Sequence, residues 1–119
     1  MNGQYIWLSG VEIAIYGKKP KATFNGHCRN SVLKFPCGRN KFHPTQKPIN
    51  LMKELIEVST NKGDTVLDPC MGSGSTGLAA IGLGRNFLGI ELDKNYFLGA
   101  KERIEQEILV YNSLPADLL

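Results

Sequence analysis

The chain has 119 residues, of which 42% are hydrophobic and 21% are charged, so it is long enough for one small domain and too short for two. No uninterrupted apolar run approaches the roughly 18 residues of a membrane-spanning helix, and no secretory signal follows Met1, so we expect a cytoplasmic protein. The net charge of +3 hides an asymmetry: residues 1–48 hold eight bases and one acid, whereas residues 49–119 hold six bases and ten acids.

The first 48 residues are predicted to form two short strands and a long basic loop. Residues 5–7 and 11–16 favour strands, because Val11, Ile13 and Ile15 recur at every second position. Residues 17–47 lose this pattern and are rich in Lys, Asn, Gly and Pro. Loops longer than about 15 residues in a compact domain are usually functional or disordered. The scattered aromatic residues favour a docked, functional loop.

The basic residues of this loop indicate contact with nucleic acid. Lysine and arginine side chains that neutralise backbone phosphates release counterions and thereby gain affinity. The residues expected to make these contacts are Lys18, Lys19, Lys21, Arg29, Lys34, Arg39 and Lys41. A solvated loop without such a partner is the alternative that charge alone leaves open.

The cysteines predict neither a disulfide nor a metal site. Cys28, Cys37 and Cys70 are odd in number and widely spaced. His27 and His43 would complete a set of four zinc ligands with the first two cysteines, but the spacing lacks the short pairs of structural zinc sites. We therefore expect no bound metal.

Residues 49–119 show the regular pattern of an α/β protein. The predicted elements are a helix from Pro48 to near residue 61, a strand over 65–67, a glycine-rich turn over 68–74, a helix through 83, a strand over 86–92, and a helix from its N-cap Asp93 to about 111. A right-handed crossover makes the two strands parallel. The region is therefore predicted to contain one βαβ unit.

The glycine-rich turn is typical of a nucleoside-binding site. Gly72, Gly74 and Gly77 form a Gly-x-Gly-x-x-Gly pattern between a strand and a helix, and Glu91 ends the next strand. Glycines let the backbone approach a ligand, the helix N-terminus offers unpaired N–H groups, and the acid suits a ribose diol. No Gly-Lys-Ser/Thr sequence follows, which excludes a phosphate-binding P-loop.

Asp68, at the end of the first strand, indicates which nucleoside ligand fits. A dinucleotide site needs glycine after the strand so that pyrophosphate can lie on the helix dipole, whereas a carboxylate repels that anion. Asp68 favours a positive amino group instead. S-adenosylmethionine carries both adenosine and an ammonium group, and it fits both features. A helix N-cap is the structural alternative for Asp68.

Three segments of the chain carry a family resemblance. They are His43-Pro44-Thr45-Gln46-Lys47-Pro48, Asp68-Pro69-Cys70-Met71-Gly72-Ser73-Gly74-Ser75-Thr76-Gly77, and Gly89-Ile90-Glu91-Leu92-Asp93. In this order they resemble the permuted (β-class) amino-group DNA methyltransferases, which methylate adenine N6 or cytosine N4, as in restriction-modification. The resemblance extends from residue 43 to about 104. It implies a partial Rossmann-like methyltransferase fold, a βαβ unit with N-terminal strands and a long basic loop.

The resemblance also implies a set of cofactor contacts. In this family the segment containing Thr45, Lys47 and Pro48 lies over the methionine end of S-adenosylmethionine. The implied contacts to the methionine and sulfonium region are Asp68, Cys70, Gly72, Gly74 and Thr76, with Glu91 on the ribose hydroxyls and Leu92 or Tyr96 beside the adenine. Lys47 has an alternative as one more basic loop residue. Cys70 is implied to pack beside the cofactor, not to act as a nucleophile.

The catalytic signature of that family is absent from this sequence. The signature is a Pro-Pro pair between Asp, Asn or Ser and an aromatic residue, and it holds the flipped base. None of the six prolines here is adjacent to another. We therefore assign no catalytic residue. We expect residues 1–48 to be the end of a catalytic half with its basic loop, and residues 49–119 to be the cofactor-binding region of the same structural domain.

This division predicts the C-terminal part of a longer enzyme, as a split gene, a relic or an expressed piece. Open sheet edges predict a homo-oligomer or a partner that carries the missing N-terminal half. The leading hypothesis is the cofactor-binding part of a DNA amino-methyltransferase. The alternative is a non-catalytic cofactor- or DNA-binding remnant or subunit. The weakest is a nicotinamide-dependent oxidoreductase fragment, which rests on the glycine spacing and is opposed by Asp68.

Overall fold

The computed structural model describes residues 11–26, 30–35 and 47–119. Its elements are α1 (Ile49–Ser59), β1 (Thr65–Asp68), α2 (Ser75–Gly82), β2 (Asn86–Gly89), α3 (Lys94–Asn112) and a short 3-10 turn (Ala116–Leu118). β1 and β2 are parallel, with Thr65 opposite Asn86 and Asp68 opposite Gly89. The predicted βαβ unit is confirmed.

The end of β2 differs from the prediction. β2 ends at Gly89 and not at residue 92, because β1 ends at Asp68 and the Cys70 N–H, the next donor that would face β2, donates to Asp68 Oδ1 instead. The chain beyond β2 bonds to the turn instead: the Ile90 carbonyl accepts from the Met71 N–H at 3.0 Å.

The predicted strand over residues 11–16 is wrong. The segment has no regular secondary structure, and Ile13 and Ile15 are 89% and 100% exposed. An alternating pattern forms a strand only where a neighbouring strand supplies the ladder, and within the described ranges β1 and β2 pair only with each other. The predicted strand over residues 5–7 lies outside the described residues.

The core lies between α1, α2 and one face of the strand pair. Ile56 of α1 and Ala79 and Ala80 of α2 are buried, and Val66 of β1 and Phe87 of β2 pack against them. Successive strand residues point to opposite faces. Leu67 and Leu88 therefore point away from these helices, and they are 58% and 57% exposed. Within the described part of the chain, this second face of the strand pair, the open face, therefore exposes the two leucines beside the polar Thr65 and Asn86.

A buried arginine joins the ends of α1 and α2. Arg85 precedes β2 and donates from Nε to Thr60 Oγ1 at 2.9 Å, from Nη2 to the Thr60 carbonyl at 2.8 Å and from Nη1 to the Leu83 carbonyl at 2.7 Å. Because its donors are paired, burial of the guanidinium is compatible with a stable core.

The start of α3 follows the predicted cap. The Asp93 carboxylate accepts from the Tyr96 N–H at 3.0 Å, which satisfies one of the unpaired donors of the first turn. Among the described residues, no helix has both the length and the apolar character that crossing a bilayer requires.

Candidate functional site

The glycine-rich turn is fastened to the ends of both strands. Ile90 N–H donates to the Asp68 carbonyl at 3.0 Å, Gly74 N–H closes the turn onto the Met71 carbonyl at 2.9 Å, and Leu78 N–H starts α2 on the Gly74 carbonyl. Residues 71–75 are all buried. The turn is therefore a fixed part of the fold.

Gly74 and Gly77 are required for different reasons, and Gly72, like Gly74, has a positive φ, of +54°. Gly74 has φ +86°, a left-handed conformation that L residues rarely adopt. Gly77 lies in α2, where a Cβ would come within 2.7 Å of both Ile104 Cδ1 and Phe87 Cε1. Gly74 therefore allows the tight turn, and Gly77 allows the helix to pack closely on the strand, as in nucleoside-binding βαβ units.

Two carboxylates flank this turn. Asp68 ends β1, and its Oδ1 accepts from the Cys70 N–H at 3.0 Å. Glu91 follows β2, and its Oε2 accepts from the Leu92 N–H at 3.1 Å. Parallel neighbours are about 4.8 Å apart, so both acids lie at one edge of the strand pair. Since the N-cap of α2 is Gly74, the N-cap alternative for Asp68 is wrong.

The other predicted cofactor residues lie in different environments. The Cys70 thiol is free and exposed, and Leu92 is 100% exposed. Thr76 Oγ1 points to Met52 Sδ of α1 at 3.7 Å. The exposed Lys47 forms an ion pair with Glu12, and Pro48 is the N-cap of α1. Thr45 lies outside the described residues. The cofactor assignments stay predictions.

The sequence-based prediction missed two residues that support the turn. Met71 is buried, and a Cβ at Gly89 would collide with its Sδ. Arg103 of α3 donates from Nη1 to the Ser73 carbonyl at 2.7 Å. Burial lowers the pKa of the Arg103 guanidinium from its ordinary value. The available signal was spacing: Arg103 lies three positions after the fully buried Ala100, on the same helix face.

The predicted basic loop, here called the basic arm, is hydrogen-bonded through Asn25 to the C-terminal end of α1. The Asn25 N–H donates to the Val58 carbonyl at 2.6 Å, and its Nδ2 donates to the Thr60 carbonyl at 2.6 Å. Lys18, Lys19, Lys21 and Lys34 are exposed. Arg29, Arg39 and Lys41 lie outside the described residues. The prediction of a docked loop is confirmed for this part of the arm, and its contact with nucleic acid stays a prediction.

A surface groove beside Asn25 is distinct from the glycine-rich turn. Its lining includes Lys53, Glu57, Asn61 and Arg85 and none of residues 68–77. Lysine and glutamate are mixed there, and Arg85 is hydrogen-bonded to Thr60 and Leu83, so the groove offers no selective ligand chemistry.

The structure shows no candidate metal cluster in the part of the chain that it describes. The four zinc-ligand candidates of the sequence, His27, Cys28, Cys37 and His43, lie outside that part.

Known proteins match this chain over most of its length. The N6/N4 methyltransferase family model, described as DNA methylase, matches residues 5–102. The type II methyltransferase M2.DpnII of Streptococcus pneumoniae is 44% identical over 91 residues, which are 76% of this chain and 32% of the relative. The DNA adenine methyltransferase YhdJ of Escherichia coli K12 is 49% identical over 63 residues, which are 53% of this chain and 21% of the relative.

A solved structure shows the same architecture. The crystal structure of the M1.HpyAVI–SAM complex is 48% identical and superposes with a TM-score of 0.62 over 73% of this chain and 46% of that chain. The partial Rossmann-like methyltransferase fold is confirmed. The chain spans between 21% and 32% of the length of the five curated relatives compared. With the predicted turn in place and the family match over residues 5–102, this chain belongs to the N6/N4 family of DNA methylases.

Proposed function

We propose that this chain is the S-adenosylmethionine-binding part of a DNA amino-methyltransferase that acts on adenine N6 or cytosine N4. The observation that carries the proposal is the pair of carboxylates, Asp68 and Glu91, at the ends of adjacent parallel strands beside a buried glycine turn. Family membership and the likeness to the M1.HpyAVI–SAM complex support it.

The residues at the turn fit this cofactor chemically. The Glu91 carboxylate is an acceptor for the two ribose hydroxyls, and Asp68 is an acceptor for the α-ammonium group. The Cys70 N–H fixes the Asp68 carboxylate at Oδ1. A pyrophosphate at the same place would meet the charge of Asp68, which opposes the nicotinamide alternative.

The remaining predicted contacts complete the proposed pocket. They are Thr45, Lys47 and Pro48 on one side of the methionine group, Cys70 and Thr76 beside the sulfonium, and Leu92 or Tyr96 beside the adenine. The bound cofactor supplies an electrophilic methyl group to an exocyclic amine. Holding the methyl group and the amine close together in the correct orientation then supplies most of the rate enhancement. In this proposal the residues of this chain bind the cofactor and orient it.

The basic arm is the proposed contact to DNA. Lys18, Lys19 and Lys21 are exposed and lie shortly before Asn25, which holds the chain against α1. Lys34 is exposed as well, and Arg29, Arg39 and Lys41 belong to the same arm. Docking limits the volume that these charges explore, so less entropy is lost when they bind phosphates.

A further partner is proposed for the open face of the strand pair. Leu67 and Leu88 expose apolar surface there. A second copy, or a chain carrying the Pro-Pro catalytic half, would remove this surface from water. A non-catalytic cofactor- or DNA-binding subunit is the alternative function, because the sequence holds no Pro-Pro pair.

Calorimetric titration of the purified chain with S-adenosylmethionine tests the proposal. We expect binding by the unaltered chain, and a Kd about tenfold higher or more for Glu91→Gln, because a charged acceptor for two hydroxyls is replaced by a neutral amide. Glu102→Gln, an exposed acid of α3, is the matched control and should bind normally. Binding of NAD, or equal affinities of the Glu91→Gln and unaltered chains, would overturn the cofactor assignment.

A further inference from the structure

One face of α3 presses against the glycine-rich turn. Ala100 is fully buried, and a Cβ at Gly74 would lie 3.1 Å from Ala100 Cβ and 3.2 Å from Ile104 Cδ1. Arg103 lies on this face between these two residues. Its Nη1 donates to the Ser73 carbonyl at 2.7 Å. The helix therefore contributes both apolar contact and a charged donor to the turn.

The bond from Arg103 fixes one end of a single peptide plane. The Ser73 carbonyl accepts from Arg103, and the N–H of the same peptide group, on Gly74, donates to the Met71 carbonyl at 2.9 Å. Because glycine restricts its φ torsion less than other residues do, Gly74 lets this peptide plane rotate more freely where no hydrogen bond holds it. Two hydrogen bonds at opposite ends of the plane hold it in one orientation.

The environment makes this contact strong. Ser73 is 3% exposed, so its carbonyl has little access to water as an alternative partner. Hydrogen bonds from a charged donor are roughly twice as strong as neutral ones. Arginine begins with so high a pKa that the guanidinium stays charged at neutral pH even where burial lowers that pKa.

We propose that Arg103 is a positioning residue that holds the Ser73–Gly74 peptide in the orientation the turn needs to bind S-adenosylmethionine. The inference rests on the proposed function of the turn. It assigns to α3 a role in cofactor binding that acts through the backbone of the turn. Loss of the guanidinium leaves a buried carbonyl without this donor and frees the peptide to rotate, so binding must first restore its orientation.

Arg85 is the matched control for this role. Arg85 is buried, whereas Arg103 is partly buried, and it too donates to backbone carbonyls, but it joins the ends of α1 and α2 at Thr60 and Leu83. A variant at Arg85 lowers stability without touching the turn. Lys101→Met controls for the loss of a positive charge on α3, since the Lys101 side chain is exposed.

Three measurements on the full chain separate positioning from stability. The first is the Kd for S-adenosylmethionine of Arg103→Met, Arg103→Lys, Arg85→Met and Lys101→Met. The second is the midpoint of thermal unfolding without ligand. The third is amide hydrogen exchange of residues 72–74 without ligand. The Kd and the hydrogen exchange are measured well below the unfolding midpoint of every variant.

The expected pattern is selective. Arg103→Met raises the Kd about tenfold or more and speeds exchange at residues 72–74, because a charged hydrogen bond is lost. Arg103→Lys keeps the positive charge and can still donate one hydrogen bond to the Ser73 carbonyl. Its Kd should therefore lie between those of the unaltered chain and Arg103→Met. Arg85→Met unfolds at a lower temperature yet keeps the Kd and the slow exchange of the turn. Lys101→Met keeps the Kd, the unfolding midpoint and the slow exchange of residues 72–74.

Each other outcome has a definite meaning. If the unaltered chain binds and Arg103→Met binds equally well, the positioning role is overturned while the proposed function stands. If Arg85→Met weakens binding as much as Arg103→Met, the effect is general destabilisation, and the role is again overturned. If Arg103→Met does not fold, Arg103→Lys decides: unchanged Kd and exchange overturn the role. If the unaltered chain does not bind, the proposed function fails, and turn exchange alone decides whether Arg103 holds the peptide.

Discussion

Substitution of Gly77 by alanine tests whether close packing of α2 requires glycine. A Cβ at this position would lie 2.7 Å from both Ile104 Cδ1 and Phe87 Cε1. The Phe87 ring also packs closely on Gly89, since a Cβ there would lie 2.6 Å from Phe87 Cε1. Overpacking of this kind costs about 1–3 kcal/mol. The reduced freedom of the unfolded chain offsets about 0.4–1 kcal/mol of that cost.

The same helix supplies the control. At Gly82 a Cβ would meet Glu107 Oε1 at 3.3 Å and Lys53 Cε at 3.6 Å, both in long, flexible side chains. Gly82→Ala is therefore expected to stabilise by about 0.4–1 kcal/mol. Since about 1 kcal/mol shifts the unfolding midpoint by roughly 4 °C in a domain of this size, Gly77→Ala should unfold several degrees below the unaltered chain and Gly82→Ala a few degrees above it.

Thermal unfolding followed by circular dichroism at 222 nm measures both variants. The prediction concerns the order of three midpoints in one experiment, which makes it insensitive to the absolute stability of the chain. A Gly77→Ala midpoint equal to or above that of Gly82→Ala would refute the argument. Glycine at position 77 would then have no packing role, and its place in the Gly-x-Gly-x-x-Gly pattern would need another explanation.

Two further predictions concern the partners. Asn25→Ala should release the basic arm from α1, so that trypsin cleaves the arm faster and the DNA affinity falls severalfold at low salt. Asn30→Ala loses only the hydrogen bond from the Val32 N–H, so it should change neither the cleavage rate nor the DNA affinity. Unchanged cleavage would show that Asn25 does not dock the arm. If a second copy covers the open face, light scattering should show an oligomer that Leu88→Glu converts to monomer while the exposed Leu109→Glu does not. A stable monomer of the unaltered chain would exclude the homo-oligomer.

The sequence was sufficient for the βαβ unit because its signals are local. The left-handed glycines of the turn, the cap at Asp93 and the helical spacing of apolar residues in α1 each act within a few residues of their partners. A parallel pair then follows from the right-handed crossover. Candidate acids at the strand ends also follow, because the carboxyl ends of parallel strands share one edge.

The features that the sequence-based prediction missed depend on contacts between distant residues. Arg103 and Ser73 are 30 residues apart, and Asn25 and Thr60 are 35 apart. Helical spacing places Arg103 on the face of Ala100, but no spacing rule identifies the partner of either Arg103 or Asn25 across such distances. The strand predicted at residues 11–16 failed for the same reason. An alternating pattern makes a segment suitable for a sheet, but the segment forms a strand only when a second strand pairs with it.

The open sheet face connects assembly to cofactor binding. The turn and Asp68 continue directly from β1, whose Leu67 faces the open side, while Val66 packs on the helices. A partner that binds the folded strand pair stabilises it by mass action, and so does a ligand at the turn. Because both favour the same folded strands, each should strengthen the other's binding if the strand pair is only partly formed in the chain alone. In that case cofactor affinity would rise with the concentration of the partner, without any contact between partner and cofactor.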